Sequence, residues 1–344
     1  MSYTEKRREQ IKRYILEKID EGSPDVAKKT AETFQTSLNT VYRYIRDMEK
    51  QNLIEKKNQG YQLVQTGQQI ILERSRGELQ EEDLIYDKYI KEILQGMPKN
   101  VIQIWQYSFM EMMNNAIDHS ESEMVGLGIQ QDYMNTTIMI VDAGIGIFRK
   151  IKEYYGFGTL DDAINELFKG KLTTDKKNHS GEGIFFTSRI LDEFMVFSDG
   201  KIFTHDKYKE EKQNLMDIPG LAKWKDSSGP AVLMKLSNFS NKVLKEVFDM
   251  FSDEDGGFTK TNIPVKNIFE TYPVSRSQAK RLCHRFDKFK EIELDFEGID
   301  EIGQGFAHEI FVVFQREHPE VALIPLHMSF DVEKMVRHVQ RTSL

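Results

Sequence analysis

The chain has 344 residues, a length that favours two or three domains, and its hydrophobic fraction of 39% is enough to build real cores. No run of about 18 apolar residues occurs, so the sequence predicts no transmembrane helix, and the N-terminal segment lacks the apolar core of an export signal. The lone cysteine, Cys283, excludes an intramolecular disulfide and a cysteine-based zinc site. We therefore expect a cytoplasmic protein.

The formal net charge of −8 is distributed unevenly along the chain. Residues 1–64 contain 13 Lys and Arg against 10 Asp and Glu, a net charge of +3. Residues 65–344 contain 34 against 45, a net charge of −11. A basic N-terminal segment joined to an acidic remainder is a weak indication of nucleic-acid binding.

The first 64 residues have the pattern of three helices followed by a small hairpin. The sequence predicts a helix from about Glu5 to Asp20, a second helix in residues 25–34 and a third in residues 40–51. Two short strands follow around the turn signal Asn58-Gln59-Gly60. This order and length resemble a winged helix-turn-helix domain, to which we assign the whole segment.

The resemblance implies that the third helix lies in the major groove of DNA, where Arg and Asn read guanine and adenine edges. A serine at the start of the helix stands where a helix N-terminus can meet phosphate, and two lysines lie on the hairpin wing. The predicted DNA-contacting residues are Ser37, Asn39, Thr40, Arg43, Arg46, Lys56 and Lys57, with Tyr42 also facing outward. The alternative is a solvated charged helix in a winged helix that binds protein.

Residues 65–100 are polar and helix-prone, and we predict one or two connector helices there. Their apolar residues are compatible with one stripe: Ile70, Ile71, Leu84, Ile85, Tyr89, Ile93 and Leu94. Such a stripe serves either as a dimer seam or as a surface that packs on the next domain, and the sequence favours neither.

Residues 111–120, EMMNNAIDHS, place acceptor side chains on one helix with no cation among them. Glu111 stands four residues before Asn115, and Asp118 stands three residues after it. Residues three and four apart are neighbours on a helix surface. Acceptors without a cation suggest a cation supplied from outside, such as Mg²⁺ on a phosphate.

Two further motifs follow this helix. A predicted strand delivers Asp142 into the sequence DAGIG, and Gly181-Glu182-Gly183 opens a later helix. Between them, Phe148 to Ser180 is predicted to be irregular, and MVFSDGKIF and AVLMKLS are predicted strands. The motifs E-x-x-x-N, D-x-G-x-G and G-x-G, in this order over about 75 residues, resemble those of the GHKL ATPases. We assign residues 101–250 to a GHKL α/β sandwich.

The GHKL resemblance implies a role for each motif. Glu111 would orient or deprotonate the nucleophile that attacks the γ-phosphate, and Asn115 would coordinate Mg²⁺. Asp142 would accept a hydrogen bond from the adenine amino group. Asp118 and His119 would line the phosphate side, although a helix-capping role is an equal alternative for His119. The glycines expected to let the backbone approach the nucleotide are Gly144, Gly146, Gly181 and Gly183.

Two details of this region stay open. Lys171, Lys176 and Lys177 are all candidates to neutralise phosphate charge. The last strand of the family usually opens with Gly-Thr, but Pro230 stands at that place here. The candidate substitutes for the threonine are Ser227 and Ser228.

Residues 258–344 alternate between helix and strand patterns, which is typical of an α/β domain. They resemble the STAS-like domain of unknown function that follows a GHKL domain in some bacterial proteins. STAS antagonists carry a phosphorylatable serine, but the matching stretch Ile302–Phe306 has no hydroxyl. We therefore expect this domain to pack on the ATP-binding domain or on a partner. His308-Glu309 resembles a phosphoacceptor pair, although a structural histidine is the favoured alternative.

Together these patterns predict a multidomain α+β protein with a winged helix-turn-helix, a helical connector, a GHKL domain and a STAS-like domain. We expect a cytoplasmic, DNA-binding regulator whose ATP and Mg²⁺ occupancy controls DNA or partner binding. A homodimer is expected because operators usually have two half-sites. The alternatives are a protein serine kinase resembling the anti-sigma-factor kinases and a nucleotide-gated interaction protein in stress response or phage defence. ATPase activity is left open.

Overall fold

The computed structural model describes residues 4–57, 60–172, 181–205, 229–269 and 272–342. Its N-terminal domain has helices α1 (Glu5–Asp20), α2 (Val26–Phe34) and α3 (Leu38–Lys50), then the antiparallel strands β1 (Ile54–Lys57) and β2 (Gly60–Leu63). Helices α1 and α3 begin where side chains cap free N–H groups, because Thr4 accepts from the Arg7 amide and Ser37 accepts from the Thr40 amide. The elements follow the predicted order.

The N-terminal domain has a hydrophobic core of its own, in which Met134 of the next domain is buried and against which the partly buried Phe239 packs. The remaining buried members are Ile11, Ile15, Leu16, Ile19, Val41, Tyr44, Ile45, Met48, Ile54 and Leu63. At the same junction the Asn135 amide donates to the Asp20 carboxylate over 2.9 Å. The N-terminal domain is therefore docked on its neighbour and does not hang from a free linker.

The central domain is built on an antiparallel sheet with the strand order β3-β4-β5-β8-β6-β7. Its strands are β3 (Thr66–Glu73), β4 (Met124–Gln131), β5 (Asn135–Asp142), β6 (Glu193–Ser198), β7 (Lys201–Thr204) and β8 (Ala231–Ser237). Alternate residues of β5 are buried, as expected for a strand with one face on a core. Strand β5 pairs with β8 so that Asn135 lies opposite Ser237 and Val141 lies opposite Ala231.

The helices of the central domain are α4 (Glu82–Tyr89), α5 (Lys99–His119), α6 (Ile147–Tyr155), α7 (Leu160–Lys169), α8 (Gly183–Ile190) and α9 (Leu244–Phe251). The longest, α5, buries Trp105, Phe109, Met112 and Met113 at helical spacing against the sheet. This burial fixes which side of α5 remains for the polar residues of its C-terminal half.

The C-terminal domain has a parallel sheet in the order β11-β10-β9, flanked by helices. Its elements are β9 (Lys260–Pro264), α10 (Val265–Ile268), α11 (Arg276–Cys283), β10 (Glu291–Asp295), α12 (Gln304–His308), a π-helical stretch (Glu309–Phe314), α13 (Gln315–Glu317), β11 (Ala322–Leu326) and α14 (Phe330–Thr342). The predicted α/β alternation is present.

The central and C-terminal domains share one continuous hydrophobic core. Phe258 packs against Phe185 and Phe186, with ring centroids 4.6 and 5.1 Å apart, and Phe289 lies 5.7 Å from Phe258. The C-terminal domain therefore packs on the central domain, which is one of the two arrangements expected from the sequence.

The prediction of a helical connector over residues 65–100 is wrong in its first part. Thr66–Glu73 is strand β3, and it forms the sheet edge by pairing with β4. Helix-prone polar residues are overridden here because β4 offers an open ladder of backbone hydrogen bonds. Ile85 and Leu94 are buried in the core that α5 shares, so the second part packs on the central domain.

The prediction of an irregular region from Phe148 to Ser180 is also wrong where α6 and α7 stand. A capping box between Thr159 and Asp162 starts α7, and Gly156 ends α6 with a φ of 70°. Residues 173–180 lie outside the described part of the chain. The segment MVFSDGKIF is a hairpin of two strands, because Asp199 and Gly200 both adopt positive φ values and form a tight turn.

Candidate functional site

A cavity of about 260 Å³ lies between α5, α6, α7 and α8 and the paired ends of β5 and β8. Its polar side chains are Glu111, Asn114, Asn115, His119, Ser120, Asp142 and Lys150. Its apolar wall includes Ile140, Ile145, Ile147, Ile151, Leu167, Val196 and Val232. The cavity therefore brings together predicted site residues from three separate motifs: Glu111, Asn115, Asp142, Gly181 and Gly183.

Helix α5 supplies the acceptors at one end of the cavity. Glu111 and Asn115 are half-buried and one helical turn apart, and the buried Met112, Met113 and Ala116 hold their backbone against the core. Within the described residues the Asn115 side chain makes no hydrogen bond, so its amide oxygen is available to a ligand. An amide oxygen beside a carboxylate is a suitable ligand for Mg²⁺.

Asp142 is the last residue of β5 and is 3% exposed. Burial raises the pKa of its carboxyl to about 7, although the hydrogen bond from the Gly144 amide, 2.9 Å long, acts in the opposite direction. Its own amide donates to the Pro230 carbonyl over 3.1 Å. In the described part of the chain its second carboxyl oxygen has no protein donor, so this cavity offers a buried acceptor.

Gly144 and Gly146 meet protein atoms at close range, and neither lines the cavity. A Cβ at Gly144 would overlap the Ser120 carbonyl, and one at Gly146 would overlap the Asp199 carboxylate. The glycines are required for this packing, and their expected close approach to a nucleotide stays a prediction.

Gly181 and Gly183 lie at the start of α8 and line the cavity. Gly181 has a φ of 74°, and a Cβ at Gly183 would overlap a carboxylate oxygen of Glu111. The Glu111 carboxylate therefore lies against the N-terminus of α8. Burial, and then the charges of Glu111 and Glu182, raise the pKa of Tyr107, so Glu182 stands on this same side.

Lys150 is a cavity residue that the sequence analysis missed. Its ammonium group donates to the His119 carbonyl over 2.8 Å and lies 3.8 Å from the Glu121 carboxylate. The lysines predicted to neutralise phosphate lie later in the chain: the Lys171 ammonium donates to the Lys288 carbonyl, and Lys176 and Lys177 lie outside the described residues. Recognising α6 from Phe148 and Ile151 would have placed Lys150 on its cavity side.

Three further predictions about the cavity have mixed outcomes. Asp118 is exposed and does not line the cavity, so its predicted role stays a prediction, whereas His119 does line it. Pro230 lines the cavity at the start of β8. The proposed substitutes Ser227 and Ser228 lie outside the described residues.

The predicted DNA-contacting residues lie on the outer side of the N-terminal domain. Asn39, Arg43 and Arg46 are exposed on α3, and Lys56 and Lys57 are exposed on β1. Ser37 is the N-cap of α3, and Thr40 is half-buried with its hydroxyl 3.0 Å from that of Ser37. The opposite face of α3 is buried, so its charged side faces solvent.

The C-terminal domain holds two further groups of interest. The first is a group of potential metal ligands whose atoms lie within 4.8 Å of one another, formed by Asp295, Glu297 and His327. The His327 Nδ1 atom lies 2.8 Å from the Asp295 Oδ1 atom. The second is His308, whose Nδ1 atom is buried and has no hydrogen-bond partner within the described residues. Because this nitrogen is buried, it is poorly accessible as a phosphoacceptor.

The comparisons with known proteins concern the C-terminal domain. Residues 278–333 match the model of a STAS-like domain of unknown function (DUF4325). The C-terminal domain is STAS-like. No curated protein matches the chain. Within the described ranges, none of the helices has the length and apolar character that a membrane span requires.

Proposed function

We propose that the protein binds Mg-ATP in the cavity beside Asp142 and that nucleotide occupancy controls the binding of DNA or a partner. The observation that carries the proposal is the convergence of Glu111, Asn115 and Asp142 on one cavity. The GHKL resemblance assigns the nucleophile-activating, magnesium-binding and adenine-binding roles to these same three residues. Independent motifs that meet at one cavity support a shared ligand.

The end of the cavity near Asp142 suits adenine. One carboxyl oxygen of Asp142 receives no hydrogen bond from the described residues and is a buried acceptor for the adenine amino group, and Ile140, Val196 and Val232 supply apolar contacts for the ring. A base that donates a hydrogen bond also favours the ionised carboxyl, so its binding should release a proton near pH 7.

The other end suits a triphosphate with its metal ion. Asn115 offers an amide oxygen to Mg²⁺, and the N-terminus of α8 offers backbone N–H groups to phosphate. Glu111 lies against that N-terminus, in reach of a water or hydroxyl that would attack the terminal phosphate. Lys150 adds a positive charge.

Strand β5 supports a link between the cavity and the N-terminal domain. Asn135, at its first residue, bonds to Asp20 of α1, and Asp142, at its last residue, lines the cavity. At about 3.4 Å per residue, the two sites are about 24 Å apart along one strand. A change at the cavity can thus reach the exposed Arg43 and Arg46 through packed elements.

The test measures Mg-ATP binding by calorimetry for the wild type, Asp142→Asn and Asp249→Asn, a control in which an exposed aspartate of α9 is changed. We expect Asp142→Asn to weaken binding at least 30-fold, because its amide N–H₂ would face the adenine amino group, while Asp249→Asn binds normally. Equal Mg-ATP binding by all three proteins would refute the placement of adenine at Asp142, and a wild type that binds no Mg-ATP would refute the nucleotide assignment itself.

The regulatory half of the proposal is tested by a DNA-shift assay on the upstream region of the protein's own gene, with and without Mg-ATP. A nucleotide-dependent shift that Asp142→Asn abolishes supports the regulator. Transfer of radiolabel from γ-labelled ATP to a partner protein, lost in Glu111→Ala, would favour the serine-kinase alternative. Nucleotide binding with neither result would favour the interaction protein.

A further inference from the structure

The wall of the cavity formed by α7 and the residues after it is held by the C-terminal domain. Leu167, Gly170 and Leu172 line the cavity. The Arg285 guanidinium donates to the Gly170 carbonyl over 3.4 Å and, more closely, to the Lys171 carbonyl. One arginine of the C-terminal domain thus fixes the backbone of residues that border the proposed nucleotide.

The same guanidinium reaches a buried charge cluster on α7. Arg285 donates to the Glu166 carboxylate over 3.0 Å, and Lys169 donates to it over 2.6 Å. The side chains of Glu166 and Lys169 are 3% and 0% exposed. Although burial opposes ionisation, the hydrogen bond from His284 and the two cations outweigh it and lower the pKa of Glu166.

Apolar contacts close the same junction. A Cβ at Gly170 would come within 2.7 Å of Phe258 and 2.8 Å of Phe185, so the backbone there is pressed between the two domains. Phe185 itself lines the cavity. The Lys171 ammonium lies 4.9 Å from the Phe289 ring and donates to the Lys288 carbonyl. The cavity wall at Gly170, Lys171 and Phe185 therefore depends on contacts with the C-terminal domain.

We propose that the STAS-like domain completes the nucleotide site within the same chain, and that Arg285 is the positioning residue that orders the wall from Leu167 to Leu172. This inference rests on the proposed function, since it concerns the same cavity. Arg285 does not line the cavity and acts through the backbone it holds. A wall ordered in advance spares the nucleotide the entropy of ordering it, so losing Arg285 should weaken nucleotide binding.

The experiment compares Mg-ATP affinity and thermal stability in the full chain for wild type, Arg285→Ala, Arg285→Lys and Arg281→Ala. Arg281 is the matched control because its side chain also reaches α7, with its Nε 3.6 Å from Asp162, but that side chain is exposed and does not line the cavity. Arg285→Lys keeps a charge for Glu166 but lacks the planar fork that bonds the carboxylate and the carbonyls together.

We expect Arg285→Ala and Arg285→Lys each to raise the Kd for Mg-ATP at least fivefold, with Arg281→Ala unchanged. Arg285→Lys should melt within about 3 °C of wild type, so it stays folded at the assay temperature and its loss of affinity cannot be attributed to unfolding. If Arg285→Ala does not fold, Arg285→Lys carries the test.

The outcomes separate the two proposals. If both Arg285 variants bind Mg-ATP as tightly as wild type, the positioning role is overturned and the nucleotide site remains. The same holds if Arg281→Ala weakens Mg-ATP binding as much as the Arg285 variants do. Tighter binding by the Arg285 variants also overturns it, because the contact would then restrain the site. A wild type that binds no nucleotide removes the proposed function itself, and this inference with it.

Discussion

Replacing Asp142 with Asn tests whether this carboxyl is a buried acceptor for a hydrogen-bond donor on a ligand. Burial raises its pKa from 3.8 to about 7. Each pKa unit corresponds to about 1.4 kcal/mol, so ionising Asp142 in the folded protein costs at most about 4 kcal/mol relative to the unfolded chain. Asp142→Asn removes this cost and retains an oxygen that can accept from the Gly144 amide.

The sign of the pH dependence follows from the raised pKa. Below about pH 4 the carboxyl is protonated in both states, and its contribution to stability is complete. Between pH 4 and pH 7 the folded protein retains a proton that the unfolded chain releases, so the wild type loses stability as the pH rises. Above pH 7 the loss is constant. Asp142→Asn should therefore gain stability relative to wild type across this window, by up to about 4 kcal/mol.

The assay is urea unfolding from pH 4 to pH 8, followed by the fluorescence of Trp105, which is fully buried in the central domain. A Trp224→Phe background removes the second tryptophan, and Asp249→Asn, which changes an exposed aspartate of α9, serves as the control variant. A difference between wild type and Asp142→Asn that stays flat within about 1 kcal/mol over this range would refute the reasoning. A variant that is more stable but binds no ATP would identify Asp142 as a residue kept for its ligand.

Three further predictions concern other parts of the chain. Arg43→Ala combined with Arg46→Ala should lower DNA affinity at least tenfold and reduce the salt dependence, as measured by titration at several salt concentrations; an unchanged salt slope would place the DNA elsewhere. Met134→Ala should destabilise the docked N-terminal domain by about 2–3 kcal/mol, because Met134 is 5% exposed within that core, and faster proteolysis of the N-terminal domain would show it. Gly183→Ala should displace the Glu111 carboxylate that its Cβ would overlap. If Glu111 activates the nucleophile, the rate of ATP turnover should fall more than tenfold, and an unchanged rate of ATP turnover would exclude that position for Glu111.

Patterns that repeat over a few residues could be read from the sequence because they depend on local geometry. The helices of residues 5–50 follow the spacing of buried residues such as Val41 and Ile45, and Ser37 marks the start of α3. The C-terminal alternation of strand and helix was also predictable, as was its STAS-like character. Asp-Gly is a typical hairpin turn, so the Asp199-Gly200 turn was also predictable, although it was not among the predictions.

Other features depended on contacts between residues far apart in the chain. Thr66–Glu73 is a strand because β4 offers it a ladder, 50 residues and more along the sequence, and its own polar composition gave no indication of this. Lys150 became a cavity residue through the packing of α6 beside the end of α5. In both cases the local pattern was compatible with more than one structure, and long-range packing selected one.

The sequence by itself determined the chemical types available to the site: a carboxylate and an amide one turn apart, an aspartate at a strand end, and glycines before a helix. Only the tertiary structure decided that these groups face one cavity, that Asp142 is desolvated and that Arg285 holds the wall. Glu166 and Arg285 are 119 residues apart, and no local spacing encodes such a contact. Periodicity fixes the direction of a side chain within its own element, whereas burial and pairing arise from the elements that pack around it.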